Sequence, residues 1–582
     1  MIYKKSGKLN KILNEKGRVS RIIIYIGKAI ESVFEKVENN KRIKFEIVVF
    51  LLYIAGQICM IFVHEPGADE ALPWLIARDS SIYEVIFVVP HYEITTSLWY
   101  LVIMPFAKLS APYELSLNIL NLTFSGFAMW LLIFKSPIKR IIKLILPFTY
   151  FPFFQFGVIN TGESMMMFAF AILAMNFKHR NIKPFIFISS LIFLSACGIF
   201  PAVMAAGISL IWLIDIVTHK TKTENNKKLR KNNFIFLLAF FVYLIFLILR
   251  IIPTSDSYIK HLNAIPGHSI FIKLGYALLG SISDIFVTNT FFESGYLAQT
   301  TLDSREFVVA IIIGAVICIL FIRRSIEKKQ ILLFIVPMTM FSIAACWMPF
   351  VRQNIGIVLL FLMFLFWVSE DERNVLSDKS VLDKRIVKED TEKKSRIGDY
   401  DTLKAFGLIV LIILIMINLY WSISSCILDI FNYYSYGRAE YEYLKDNGLT
   451  DKEMLVRWEE SIPRVDDGCE AITYSNMALE LEPYLNSSKN QYYILNSVYA
   501  LKRSYARFGQ IPSEKETEDL KYKLVEKGRP YVIVGTAAFM SIYSPNLVNL
   551  KDYDVPLSIE AGSIWKGIPE NYEENVYVLK YR

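Results

Sequence analysis

The stretch HEPGADEALPWLIARD, residues 64–79, places Glu65, Asp69, Glu70, Arg78 and Asp79 directly after the apolar run IVVFLLYIAGQICMIFV. Carboxylates this close to hydrocarbon are costly and tend to mark sites or pathways. One held there can take a proton from a hydroxyl as a general base. A solvated loop with ordinary interface charges is the plainer alternative. A second acid, Glu163, lies in the short turn NTGES (160–164) between two further apolar runs. It can equally be a helix-start residue, stabilised by the helix dipole. Arg352, in WMPFVRQNIG (347–356), ends another apolar run with the opposite sign. Its planar fork matches phosphate oxygens, although an arginine at that depth can also snorkel to lipid headgroups.

These residues must be positioned by apolar elements. The chain has 582 residues, of which 54% are hydrophobic, and its mean hydropathy is +0.38. That is too apolar for a soluble protein of this length. Apolar runs of roughly 17–22 residues recur through the first part of the chain, as bilayer-spanning helices require. The net charge of +8 is no nucleic-acid footprint, because the Lys and Arg residues fall between the apolar runs, where they orient helices.

Charge sets an expected topology. Lys41, Arg42 and Lys44 precede the first span and place the N-terminus in the cytoplasm, so HEPGADE emerges outside. The segment ITTSLWYLVIMPFAKLS (94–110) is read as lying on or dipping into the outer leaflet. If it crossed, the basic cluster KSPIKRIIK would fall outside. Residues 144–160 are read as a crossing that leads to the NTGES turn. The later basic loops KHRNIK, HKTKTENNKKLRKNN and RRSIEKK then share one side, for about eleven crossings in all. The expected class is therefore a polytopic α-helical membrane protein with a small C-terminal extracytoplasmic α/β domain. Its parts are a basic cytoplasmic segment (1–43), a transmembrane domain (44–421) and an extracytoplasmic α/β domain (422–582).

The last part is polar and mixed in charge. It carries the strand-like runs EAITYSN, QYYILNS, PYVIVG and NVYVLKY, with helix-like EKETEDLKYKLVEKG between them. The N-terminal residues are basic and polar and do not read as a cleavable signal, whereas RIIIYIGKAIESVFEKV reads as a surface-lying amphipathic or cytoplasmic helix. The six cysteines (Cys59, Cys197, Cys318, Cys346, Cys426 and Cys469) have neither metal-ligand spacing nor the pattern of a disulfide framework.

HEPGADEALPWLIARD followed by HYEITTSLWYL resembles the first external loop of bacterial GT-C membrane glycosyltransferases, in the branch related to protein mannosyltransferases and aminoarabinose lipid A transferases. The resemblance covers roughly residues 44–420 and is most specific at DEA…WLIARD. It implies an Asp-Glu pair on the external face, a juxtamembrane helix after it, a second acid near Glu163 and a polyprenyl-phosphate sugar as donor. Asp69, Glu70, Tyr92, Glu93 and Arg352 carry over. The chain departs from the pattern at Thr95, Thr96 and Ser97, where relatives carry His-Pro-Pro. It departs again at Thr161-Gly162-Glu163, where many carry Arg-Ser-Tyr, and at Gln353, where many carry His.

From this resemblance the expected catalytic residues are Asp69 as general base, Glu70 orienting it or raising its basicity, and Glu163 positioning the acceptor. Arg352, helped by Arg78 or His91, is expected to hold the donor phosphate, and Tyr92 and Glu93 to contact substrate. Lys260, His261 and His268 are weaker candidates in a long loop. No cofactor is required. Asp69 and Glu163 could share a divalent cation, Mg or Mn, because carboxylates from separate loops can converge on hard ions. Expected partners are the lipid-linked donor, a cell-envelope glycan, lipid or protein acceptor, and membrane lipids. A lipid-linked glycan polymerase or ligase, a flippase and a catalytically degenerate scaffold stand as alternatives.

Overall fold

The computed structural model describes residues 18–39, 44–218, 224–257, 269–290, 304–348, 350–382, 397–450, 452, 454–457, 477–485, 492–495, 505–507, 531–535, 550–570 and 572–580. Helices come first: α1 (Arg18–Asn39), α2 (Lys44–Ile61), α3 (Ala68–Asp79), α4 (Ile82–Phe87), α5 (Val89–Glu93), α6 (Leu98–Lys108), α7 (Tyr113–Lys135) and α8 (Arg140–Ile145). Then follow α9 (Glu163–Phe177), α10 (Pro184–Ala196), α11 (Ile199–Thr218), α12 (Glu224–Ile251), α13 (Ile270–Gly275) and α14 (Ser281–Phe286). The last are α15 (Ser304–Glu327), α16 (Ile331–Trp347), α17 (Gly356–Leu382), α18 (Ile397–Phe431), α19 (Gly437–Asp446) and α20 (Met477–Leu481).

Among the described residues, six helices are long and apolar enough to cross a membrane: Tyr113–Lys135, Ile199–Thr218, Arg230–Ile251, Arg305–Glu327, Arg352–Asp371 and Ala405–Phe431. Phe45–Ile61, Leu98–Lys108, Glu163–Phe177, Pro184–Ala196 and Ile331–Trp347 are apolar but shorter. At 11 residues, α6 rises only about 16 Å against a hydrocarbon core of about 30 Å. It packs on α3, as a helix lying across one end of the bundle would.

One expected crossing is not a continuous helix. Residues 144–160 break into the end of α8, a 3-10 turn at Leu146–Phe148 and a π-helical turn at Phe151–Gln155. Pro147 and Pro152 each remove a backbone donor, and neither can sit inside a regular helix without breaking it. Its apolar side chains serve burial: Tyr150, Phe151, Phe154 and Phe156 are fully buried in the main core.

The two ends of the bundle differ in charge. At one, α1 lies along α18 and leaves Ile22, Tyr25, Ile26 and Val33 exposed, as expected of an amphipathic helix at a lipid surface. Arg140 is buried there and donates to Glu46 through Nε and Nη2, each at 2.6 Å. The backbone N–H of Arg140 also donates to Glu38, which ties α8 to α1 and α2. The opposite end carries α3 to α6.

The C-terminal region holds strands β1 (Met454–Arg457), β2 (Tyr492–Leu495), β3 (Val532–Gly535), β4 (Tyr553–Ala561), β5 (Ile564–Trp565), β6 (Ile568–Pro569) and β7 (Tyr572–Leu579). Five form a mixed sheet in the order β2-β1-β3-β7-β4, and β5 pairs with β6 as a small hairpin. β1 runs parallel to β2 and β3, whereas β7 runs antiparallel to β3 and β4. Three expected strands match β2, β3 and β7, and β1 and β4 were not anticipated. EAITYSN and EKETEDLKYKLVEKG lie outside the described residues. Helix α18 continues to Phe431, beyond the expected domain boundary at 421.

Candidate functional site

The first loop is held by a buried charge relay. Gly67 has no side chain to cap α3, so Glu70 reaches back and accepts the Gly67 N–H at 2.8 Å. Its other oxygen accepts the N–H of Asn160 at 2.6 Å, which joins the first loop to the second. The same carboxylate lies 3.2 Å from His64 Nε2, and His64 Nδ1 lies 3.0 Å from Asp429 on α18. Burial alone would pull the imidazole pKa down. The flanking charges of Asp429 and Glu70 outweigh it and lift the value to about 10, so His64 is a cation between two anions at neutral pH. Glu70 is thus a strut that fixes where α3 begins rather than a group open to a substrate. Its charge also bears on its neighbour, as described next.

Asp69, one residue earlier, faces outward from α3 and is exposed. Protein nevertheless crowds it from several sides. This desolvation is the largest influence on its carboxyl and raises its pKa, with Arg352 opposing the rise and Glu70 adding to it. Gln353 donates to Asp69 at 3.1 Å, so the turn bearing Arg352 touches the first loop directly. Glu93, at the end of α5, is pushed up to about 7 by burial and by the charge of Asp69. Glu163, the first residue of α9, is also within electrostatic reach of Asp69. Gln155, in the π-helical turn, donates to Glu163 at 3.1 Å and is itself bonded by the Tyr150 hydroxyl. Gly162 sets the start of α9: its φ is +86°, and a Cβ there would meet the Trp99 ring at 2.8 Å. Four segments therefore converge on one face, three acids opposite one arginine.

Arg352 does not stand free. Both of its terminal nitrogens bond the Glu570 carboxylate, one of them at 2.6 Å, and the second also reaches Ser563 Oγ at 3.1 Å. Glu570 and Ser563 flank the β5–β6 hairpin, which inserts into the bundle. Trp565 is buried against Tyr150 and Phe151, with the Arg352 guanidinium 5.4 Å from its ring. Lys566 donates to the carbonyls of Asp284 and Thr288 and lies over Trp421. Burial pulls its ammonium pKa down to about 8, against the pull of Asp284. The hairpin turns at Lys566-Gly567, both with positive φ, and a Cβ at Gly567 would meet Ser424 Oγ at 2.6 Å. Sequence reading missed Glu570, Lys566, His64 and Asp429. Only the hairpin left a local signal, a two-residue turn containing Gly between the apolar pairs of SIWKGIPE.

Other expected residues are committed elsewhere. Arg78, expected to help hold phosphate, bonds Asp79 at 2.7 Å and Glu482 at 3.0 Å. His91 Nδ1 lies 2.6 Å from the carbonyl of Ile252, which makes that nitrogen the donor. Tyr92 donates to Asp256 at 3.2 Å, so it braces the loop after α12. The Thr95-Thr96-Ser97 replacement is built into the scaffold: Thr96 donates to the carbonyl of Ala196 and Ser97 to that of Val85, and Arg250 donates to Ser97. Just before them Ile94 sits at φ 44°, a left-handed conformation that is strained for a β-branched residue and is typical of functional loops. Lys260, His261 and His268 lie outside the described residues.

The C-terminal region also clasps the first loop. Arg438 on α19 bonds both oxygens of Glu114, at 2.8 and 2.9 Å, and the carbonyl of His64 at 2.8 Å. Glu65 lies 3.6 Å from Arg438. Burial raises Glu65 to about 7 despite that arginine. Nearby, Glu440 is fully buried with both carboxylate oxygens lacking a hydrogen-bond partner among the described residues. Glu480, which contributes to the upward shift at Glu440, is pushed up to about 8, chiefly by burial. Among the described residues no three His, Cys, Asp or Glu side chains stand together as metal ligands, so the Asp69–Glu163 cation site has no third such ligand there.

No family model matches the chain, and no curated protein does. Among solved structures, ArnT from Cupriavidus metallidurans bound to undecaprenyl phosphate is similar at 11% identity and a TM-score of 0.45, over 90% of this chain and 97% of that one. A mutant of the arabinofuranosyltransferase AftD from Mycobacteria is similar at 13% identity and a TM-score of 0.33. There the chain covers 92% of itself but spans only 41% of the AftD length. At these scores the likenesses are too loose to carry over a fold or an activity.

Proposed function

We propose that the chain is a membrane glycosyltransferase that moves a sugar from a polyprenyl-phosphate donor to a cell-envelope acceptor at the external membrane face. In this orientation the N-terminus is cytoplasmic and the sheet region external, consistent with the basic loops. One observation carries the reading: Asp69 stands within electrostatic reach of Arg352, Glu93 and Glu163, all from separate segments. The resemblance of the first loop to GT-C enzymes supplies the substrate class.

An acceptor hydroxyl oxygen attacks the anomeric carbon as the bond from that carbon to the phosphate oxygen breaks. The hydroxyl proton passes to Asp69, whose raised pKa suits it as a base. Polyprenyl phosphate leaves with the bonding pair, its charge met by Arg352. Direct attack from the opposite face inverts the anomeric carbon. Glu163 and Glu93 line the acceptor side, and Glu70 positions Asp69 through the His64–Asp429 relay. Arg352 meets the phosphate by exchanging Glu570 for it. The donor's phosphodiester carries one negative charge and gains a second as polyprenyl phosphate leaves, so a guanidinium fork already shaped around a carboxylate holds it most strongly as the bond breaks.

The test is turnover by purified protein given polyprenyl-phosphate sugars and envelope acceptors, with lipid phosphate release and acceptor glycosylation measured together. Release and transfer in equal amounts are expected, and failure to bind or turn over any such donor would overturn the proposal. A silent scaffold is the second reading, favoured by the Glu570 carboxylate seated on Arg352.

A further inference from the structure

The basic end of the bundle holds a cavity that plays no part in the site above. Its volume is about 440 Å³, and it lies between α1, α15, α17 and α18. Ile24, Leu146, Phe321, Leu359, Leu411 and Leu414 form much of its wall. α18 packs along α1 and touches the bundle at α14 and at the 3-10 and π-helical turns before α9, while α15 packs against α14 and its neighbouring turn, so the cavity lies between α18 and α15. Less than a quarter of the apolar window of α18 is buried, 22%.

Length and charge together say what fits. Ala405 and Asn418 both line the cavity. The helix between them rises about 20 Å, comparable to the roughly 15 Å hydrocarbon depth of one leaflet. Walls this apolar disfavour water. At the rim, Arg323 is paired with Glu327 and Arg324 with Glu370. Lys28 and Lys139 also line the cavity alongside Glu31, and neither lysine has an ion pair among the described contacts. Lys139 lies over the Phe34 ring of α1. Basic pockets between membrane helices are recurrent seats for anionic headgroups.

We propose that this cavity binds an anionic phospholipid from the leaflet at the basic end, with one acyl chain along α18 and the phosphate met by Lys28 and Lys139. The lipid fills the gap that packing leaves between α18 and the bundle and ties α1 to the membrane surface. The proposal does not depend on glycosyl transfer.

The experiment uses the full-length protein in detergent, supplemented with phosphatidylglycerol, phosphatidylcholine, undecaprenyl phosphate or inorganic phosphate. Retained lipid is counted by native mass spectrometry, and the thermal midpoint is followed in parallel. Phosphatidylglycerol should be retained at least tenfold over phosphatidylcholine and should raise the midpoint. The double variant Lys28→Glu with Lys139→Glu should lose that preference, and Leu411→Trp, which fills the apolar wall, should lose retention of the chain. Equal retention of the two phospholipids overturns the proposal. So does equal protection by inorganic phosphate alone, or displacement by undecaprenyl phosphate at lower concentration. Should a variant fail to fold, the wild-type comparison of the two phospholipids decides alone.

Discussion

Arg352 and Glu570, 218 positions apart in the chain, form an ion pair across the seam between the helical bundle and the C-terminal region, with Nη2 and Oε2 at 2.6 Å. If phosphate must displace the carboxylate, weakening the pair helps the donor. Glu570→Gln is expected to lower the donor KM several-fold with kcat little changed, as judged by donor titration at saturating acceptor. An unchanged or higher KM would mean that Glu570 does not compete for the arginine.

Asp69 accepts one hydrogen bond from Gln353, and its side chain is exposed, so Asp69→Asn should fold normally. Loss of a general base typically costs 10²–10⁴-fold in rate. A loss in that range at an unchanged thermal midpoint is expected. Transfer within threefold of wild type would remove Asp69 from the mechanism.

The base works only as a carboxylate, so the rate should rise as pH increases through its pKa. Crowding by surrounding protein raises Asp69 despite its exposed face, and its neighbour Glu93 is held at about 7 partly by the charge of Asp69. Coupling of this kind is mutual. The rate limb is therefore expected above the ordinary carboxylate range and should move to lower pH in Glu93→Gln. A profile of kcat/KM from pH 5 to 9 reads both, and a limb that stays put in the variant contradicts the coupling.

Removing His64 would leave Glu70 and Asp429 buried without their shared cation. Breaking a buried pair by deleting one partner typically costs about 3–5 kcal/mol. His64→Gln is expected to lower the thermal midpoint sharply and to reduce the amount of folded protein in membranes. The folded pKa of about 10 lies above the ordinary 6.5, so this protonation-linked stabilisation is full below about 6.5 and is lost progressively as pH rises from there to about 10. A variant as stable as wild type at pH 7 would refute the relay.

Glu480 behaves in the same direction over a different window. Its folded pKa of about 8 lies above the ordinary 4.5, so the folded state binds more protons between those values. Stability of the clasp on the first loop should fall as pH rises from about 4.5 to 8 and then level off. Protease sensitivity at the seam, measured across that range, should increase with pH in wild type and stay flatter in Glu480→Gln.

Much of the site was legible because its residues break a local rule. Asp69, Glu163 and Arg352 are charges set beside apolar runs, and the structure brings their segments to one face. Arg78 and His91 break the same rule for a different reason, since each supports the scaffold through neighbours that no local pattern reveals. Glu570, Lys566 and Asp429 were invisible because their partners lie hundreds of positions away and no local pattern links the two members of a pair. Residues 144–160 run from the Arg140 end to the α3 end as expected, but as a broken rather than a continuous helix, because their apolar side chains also pack under the hairpin. Pro147 and Pro152 were the local marks of the break.

The Lys566-Gly567 turn has a practical consequence for anyone trimming this protein. A chain cut after α18 would strip the cover from Tyr150 and Phe151 and leave the carbonyls of Asp284 and Thr288 without their ammonium donor. Burying a ring such as Trp565 is worth about 3 kcal/mol. Such a shortened protein is expected to clump on extraction. The C-terminal region is a keystone wedged into the arch of the bundle, and the two are expected to purify only together.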